Sequence, residues 1–214
     1  MIRENIEKIL KEIPQGVTLV AATKTRSVEE IKQAIECGIT DIGENYVQEA
    51  EKKFEAIGKS VRWHLIGHLQ KNKVKKALKI FDIIETVDSL ELAMEISKYA
   101  QSFYPVLIEV NSAKEPQKSG VFPEDVEALI EKISKLPNII IEGLMTMGPL
   151  VENPQDIRPY FKLTRRIFES CKKFNFPNVE MKILSMGMSD SWRIAIEEGA
   201  TCIRIGTAIF GPRK

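Results

Sequence analysis

Short apolar runs and amphipathic stretches take turns along the whole chain. The runs VTLVAA (17–22), ITDIG (39–43), VRWHLIG (61–67), FDIIETV (81–87), YPVLIEVN (104–111), IIIEGLMT (139–146), VEMKILS (179–185) and TCIRIG (201–206) predict strands. They are rich in β-branched residues and bounded by turn residues, as strands buried on both faces are. Between them the apolar positions fall three and four residues apart, the spacing of a helix face. Pro123, Glu124 and Asp125 open one such helix, striped by Val126, Leu129, Ile130 and Ile133. Tyr160, Leu163, Ile167, Cys171 and Phe174 stripe another. A further helix precedes the first strand, with Ile2, Ile6, Ile9, Leu10 and Ile13 on one face. Glu4 to Lys8 and Glu7 to Lys11 stand four apart on its other faces, and Pro14 and Gly16 end it.

About eight strand-helix alternations with no linker, repeat or low-complexity stretch predict a single-domain (β/α)₈ TIM barrel over residues 1–214, in preference to an open doubly wound sheet. Only TAIFGPRK follows the eighth strand, so the closing helix is expected to be truncated. The N-terminal helix is expected to cover the gap in the outer ring.

Composition narrows the function classes. Lysine and arginine number 31 against 30 aspartates and glutamates, a balance that gives no pull toward nucleic acid or membrane. The charged N-terminus reads as neither leader nor anchor, and no run approaches transmembrane length. Cys37, Cys171 and Cys202 are widely spaced and there are two histidines, a pattern of reduced cysteines in a cytoplasmic protein without a metal site. The run KNKVKKALK (71–79) reads as the solvated face of the third barrel helix, with Val74, Ala77 and Leu78 turned inward.

The candidate chemistry starts at Lys24, between the first strand and a capping box formed by Ser27 and Glu30. A lysine buried behind Val17, Leu19, Val20, Ala21 and Ala22 is expected to favour the free amine, which condenses with carbonyls. The plainer alternative is a snorkelling or ion-paired side chain. The loops after strands seven and eight, where barrels of this class keep their phosphate site, supply the second feature. In LSMGMSDSW, Gly187 permits a tight turn and Met188, Ser189 and Asp190 lead into a short helix; in RIGTAIFG, Gly206 and Thr207 open another. Backbone N–H groups at such turns, with a hydroxyl, make an anion cradle. Arg204 alternates with Ile203 and Ile205, so it faces the barrel interior, as a structural ion-pair member or as a partner for a cofactor ring nitrogen. Amine, phosphate cradle and arginine together describe a ligand with a phosphate and an aldehyde.

The segments AATKTRS, IGENYVQE, WHLIGHLQKNK, LIEVN with KSG, GLMTMGP, LSMGMSDSW and RIGTAIFG resemble, in this order from about residue 17 to 211, the pyridoxal phosphate homeostasis proteins. That family is similar to the barrel domain of alanine racemases. The resemblance implies pyridoxal 5'-phosphate held as an aldimine of Lys24, with Ser189, Gly206 and Thr207 on the phosphate and Arg204 at the pyridine nitrogen. It also implies that Asn45 lies close to the cofactor and that the backbone of Met188 adds a donor. His64, at the end of the third strand, is a candidate to line the same mouth, with a hydrogen-bonded structural histidine as the alternative; His68 receives no role. Ser191 and Trp192 depart from the family pattern and put the helix start there in question. The implied function is that of a monomeric carrier and regulator of the intracellular cofactor pool, handing it to apo-enzymes. The rivals are an amino-acid racemase-like enzyme on the same barrel, a Schiff-base aldolase and a plain interaction protein. The racemase reading lacks a second base, since the chain offers no C-terminal β domain and only Tyr46 stands beside the mouth.

Overall fold

The computed structural model describes residues 1–212, so Arg213 and Lys214, the end of the expected domain, lie outside the described residues. Eight parallel strands close into a barrel in chain order: β1 (Thr18–Ala22), β2 (Asp41–Glu44), β3 (Arg62–Leu65), β4 (Ile83–Val87), β5 (Tyr104–Glu109), β6 (Ile139–Met145), β7 (Val179–Ser185) and β8 (Cys202–Ile205). β1 pairs with both β2 and β8, which closes the ring. All eight predicted runs are strands, trimmed by one or two residues at most ends, so the TIM barrel expected from the pattern is the fold.

Helix α1 (Ile2–Glu12) precedes the barrel, and α2 (Val28–Glu36), α3 (Val47–Ile57), α4 (Val74–Ile80), α5 (Leu90–Tyr99), α6 (Val126–Ile133), α7 (Arg158–Cys171), α8 (Trp192–Glu197) and α9 (Thr207–Phe210) follow the strands in turn. The capping box at the start of α2 is formed: Ser27 Oγ accepts from the Glu30 amide and Glu30 accepts from the Ser27 amide. The last helix, α9, is a single turn, as the short tail predicts. α1 packs against α2 and α9, and Asn5 Nδ2 donates to the Ile209 carbonyl at 3.0 Å.

Two helix readings need correction. On α1, Ile6 and Ile9 are buried but Leu10 is 41% exposed. Neither Glu4–Lys8 nor Glu7–Lys11 closes to an ion pair among the described residues; Glu12 instead meets Arg193 at 2.6 Å, tying α1 to α8. On α7 Cys171 is buried as expected, and Ile167 and, past the helix end, Phe174 pack partly buried against the core, but the other fully buried positions are Phe161, Thr164 and Phe168. Thr164 goes inside because its hydroxyl donates to the Tyr160 carbonyl at 2.9 Å, which satisfies the group that made it look like a surface residue.

The apolar layer between strands and helices forms one continuous core that includes Ile203 and Ile205. Inside the barrel a smaller cluster of Ile83, Leu107 and Met145, backed by Met147 and Ile183, fills the interior. Around it stand polar side chains that also point inward: Asp41, His64, Glu85, Ser185 and Arg204, all buried.

Candidate functional site

At the C-terminal mouth of the barrel, a cavity of about 240 Å³ is lined by Lys24, Asn45, Met188, Ser189, Arg204, Gly206 and Thr207, together with Ala22, Arg26, Ile66, Met147 and Asp190. Seven of the eight residues singled out in the sequence therefore share one space. The eighth, His64, does not line it.

Lys24 is half-buried and not the desolvated lysine the sequence suggested. Its Nζ sits 5.1 Å from the centre of the exposed Tyr46 ring and has no carboxylate partner among the described residues. The buried lysine nearby is Lys53, on α3, whose ammonium bonds to Glu44 Oε1 at 2.6 Å, Glu49 Oε1 at 2.7 Å and the Thr23 carbonyl at 2.7 Å. Glu49 also accepts from the Thr25 amide at 2.6 Å, and Thr23 Oγ1 donates to Glu44. Lys53 and its carboxylates thus grip the residues on either side of Lys24 and fix the turn that carries it. With three acceptors around its nitrogen, Lys53 is held in place and has no face open to the cavity.

On the opposite side the two Gly-containing loops meet. Gly187 has φ +98°, and a Cβ there would stand 2.5 Å from Ala195 Cβ, so only glycine lets the β7 loop turn against α8. The helix begins at Trp192 despite the departure from the family pattern; Trp192 is buried, and the Ser191 hydroxyl accepts from the Met188 amide at 3.1 Å. The Met188 amide is therefore engaged, whereas the amides of Gly187, Ser189, Asp190, Gly206 and Thr207 have no acceptor among the described residues. Ser189 Oγ accepts from the Ala208 amide at 3.1 Å, which holds the two loops together and leaves its own proton free to donate. Arg26, which sequence reasoning did not single out, contributes a buried guanidinium. It is anchored to the carbonyls of Phe210, Gly211 and Pro212 and brings positive charge to this side.

Arg204 forms the floor. Its Nη1 donates to Ser185 Oγ at 2.6 Å and its Nη2 to the Thr146 carbonyl at 2.9 Å and Met147 Sδ at 3.3 Å. Ser185 in turn donates to Glu85 Oε2 at 2.6 Å, and the other oxygen of Glu85 meets His64 Nδ1 at 2.6 Å. His64 Nε2 completes the chain at Asp41 Oδ1, 2.9 Å away. Arg204 is thus a member of a buried ionic network, as one of its two readings had it, and it also lines the cavity. Burial disfavours the imidazolium, but the bonds to Asp41 and Glu85 outweigh it and raise the pKa of His64. Burial alone would raise Glu85, yet His64 and Arg204 hold it below the usual carboxylate range. The bonds from Arg204 to Ser185 and Thr146, with Glu85 behind Ser185, leave Arg204 firmly oriented.

The glycine at 67 shapes the remaining wall. A Cβ there would lie 2.2 Å from the Asn45 carbonyl, so the end of β3 reaches Asn45 only through glycine. Among the described residues no group of three or more His, Cys, Asp or Glu side chains is placed to hold a metal ion. Cys171 and Cys202 are buried and Cys37 is half-buried, all free thiols.

The sequence matches, over residues 1–214, the family described as the alanine racemase N-terminal domain. It is 43% identical to a pyridoxal phosphate homeostasis protein of Aquifex aeolicus, covering 100% of this chain and 96% of that one. The fold superposes on PipY of Synechococcus elongatus solved without PLP at a TM-score of 0.92, with 34% identity and coverage of 99% and 100%. On PipY with PLP bound the TM-score is 0.90, with 33% identity and the same coverage. The chain belongs to the alanine racemase N-terminal domain family, among the pyridoxal phosphate homeostasis proteins.

Proposed function

We propose that this protein binds pyridoxal 5'-phosphate in the cavity at the barrel mouth, covalently through Lys24, and serves as a carrier and regulator of the intracellular cofactor pool. The observation that carries the reading is convergence. Among the described residues, an amine without a carboxylate partner, amides and a hydroxyl free to meet an anion, and a buried guanidinium line one cavity of about 240 Å³. A phosphate fits the turn at Ser189, Gly206 and Thr207, where the charge of Arg26 adds to the unpaired amides. The cofactor, when bound, supplies an electrophilic aldehyde. Arg204, bonded on one side to Ser185 and Thr146, keeps further N–H groups that would meet the ring nitrogen of the cofactor and would favour its unprotonated form. Asn45 stands beside it, and Tyr46 covers the outer side of Lys24. His64 acts at one remove, by orienting Glu85 and through it Arg204. Handing the cofactor to apo-enzymes from a cytoplasmic monomer is the role this open mouth suits: water and partner surfaces reach Lys24 directly.

The test is transfer. The loaded protein is mixed with an apo-aminotransferase in the presence of an excess of a second cofactor-trapping apo-enzyme. Recovery of aminotransferase activity ahead of the trap supports a carrier; recovery no better than with free cofactor speaks against one. A racemase-like reading has one observation in its favour, the phenol of Tyr46 beside Lys24, and is addressed below.

A further inference from the structure

A second cavity, of about 340 Å³, opens beside the first and shares Asn45, Ile66, Met147 and Met188 with it. Its floor is Glu109, the last residue of β5, on the same inward face as Leu107. Glu109 is only 7% exposed, and its Oε2 is buried with no hydrogen-bond partner among the described residues. A carboxylate placed this way is costly unless something arrives to pair with it. The walls are apolar where Ile66, Met147 and Pro149 line them, and Ser112, whose hydroxyl bonds to Thr146 Oγ1 at 3.0 Å, adds an oxygen; the oxygens of Asn111 are already taken by the Lys114 and Glu115 amides.

We propose that this cavity is a binding site for a primary ammonium group carried on a short apolar body, with Glu109 as its counter-ion. The charges around it agree. Asp88, after β4, lies close enough to raise the Glu109 carboxyl further, and Arg204, from β8, lowers it, but burial dominates and lifts it to about 7. The remaining ionisable groups on the lining are His68 and Lys118, both exposed at the rim, and Lys118 is already paired with Glu115 at 2.6 Å. An anion would meet an acidic floor, so a phosphate belongs in the first cavity and not here. An ammonium offers three donors to the Glu109 carboxylate and the neighbouring oxygens, and its apolar body lies against Ile66 and Met147. If the first cavity holds an aldehyde cofactor, an amine seated here waits next to an amine-reactive carbonyl. That consequence rests on the cofactor reading; the ammonium site itself does not.

The experiment is a titration of the cofactor-free, full-length protein with n-propylammonium chloride, and separately with sodium propionate at matched ionic strength. The readouts are the amide resonances of Gly67, Asn111 and Met147 and the side-chain carboxyl carbon of Glu109. We expect saturable shifts with n-propylammonium near pH 8. Affinity should fall at least tenfold near pH 5.5, where Glu109 is protonated, and at least tenfold in Glu109→Gln. In Lys24→Ala it should be unchanged, so loss of cofactor binding in that variant leaves this result standing. Propionate binding as tightly at the same resonances, saturation unaltered in Glu109→Gln, or no saturable shift overturns the proposal. The wild-type pH comparison decides the matter even if the glutamine variant does not fold.

Discussion

Replacing Glu109 by glutamine should stabilise the cofactor-free protein, and by an amount that grows with pH. The carboxyl has a folded-state pKa of about 7 against the ordinary 4.5, driven by burial and reinforced by Asp88. The folded protein therefore holds this proton more tightly than the unfolded chain does. Between those two values folding takes up a proton, so stability falls as pH rises from about 4.5 to about 7 and is level above. At about 1.36 kcal/mol per decade, the full loss is roughly 3 kcal/mol at pH 8 and less than about 1 kcal/mol at pH 5. Glutamine keeps the shape and has no proton to take up, so the variant escapes the loss. His64 titrates in both proteins and cancels in the comparison. Urea unfolding of the parent and Glu109→Gln at both pH values measures the difference directly. A gain of the same size at both, or a variant less stable than its parent at pH 8, would show that Glu109 is not held as a buried, unpaired acid.

Other outcomes follow from the same geometry. Ser189→Ala and Thr207→Ala should each weaken pyridoxal phosphate binding by about 1.5–3 kcal/mol, the value of a hydrogen bond to a charged group, as read by equilibrium titration; undiminished affinity in both would place the phosphate elsewhere. Below the ordinary histidine range, His64→Gln leaves two buried carboxylates short of a cation and should cost about 3–5 kcal/mol in unfolding free energy. Because the His64 pKa is raised in the fold, its contribution is complete below the ordinary histidine range and fades as pH climbs through the folded value, so the parent and His64→Gln should converge in stability at alkaline pH. Alanine incubated in deuterated buffer should racemise no faster with the loaded protein than with free cofactor. Faster racemisation that is lost in Tyr46→Phe would make the phenol beside Lys24 a second base and favour the racemase reading.

The barrel was legible because parallel strands buried on both faces read as nearly unbroken apolar runs, and Gly and Pro punctuate them. The helix stripes were less so: Thr164 hides its hydroxyl within its own helix, and the pattern of polar and apolar positions carries no sign of that. In the site, the loops around Gly187 and Gly206 announced themselves by residue type. The support beneath them did not. His64 needs Asp41 and Glu85 from the two adjacent strands, and only the register of β2, β3 and β4 brings the three side chains together. Lys53 was not singled out, although Glu49 four residues earlier was a usable hint. Glu109 left a clearer sign, since alternation from Leu107 puts it inside the barrel where an acid has no ordinary reason to be.

The central claim is that Lys24 holds the cofactor, and borohydride reduction tests it most directly. The full-length protein is incubated with pyridoxal 5'-phosphate, reduced, digested and mapped by mass spectrometry, alongside Lys24→Ala. One dominant pyridoxyl-lysine is expected, at Lys24, and in Lys24→Ala the loss of that adduct with only weak, reversible, phosphate-anchored binding left. An undiminished adduct in Lys24→Ala, or a parent adduct centred on another lysine such as Lys53 or Lys118, would contradict it.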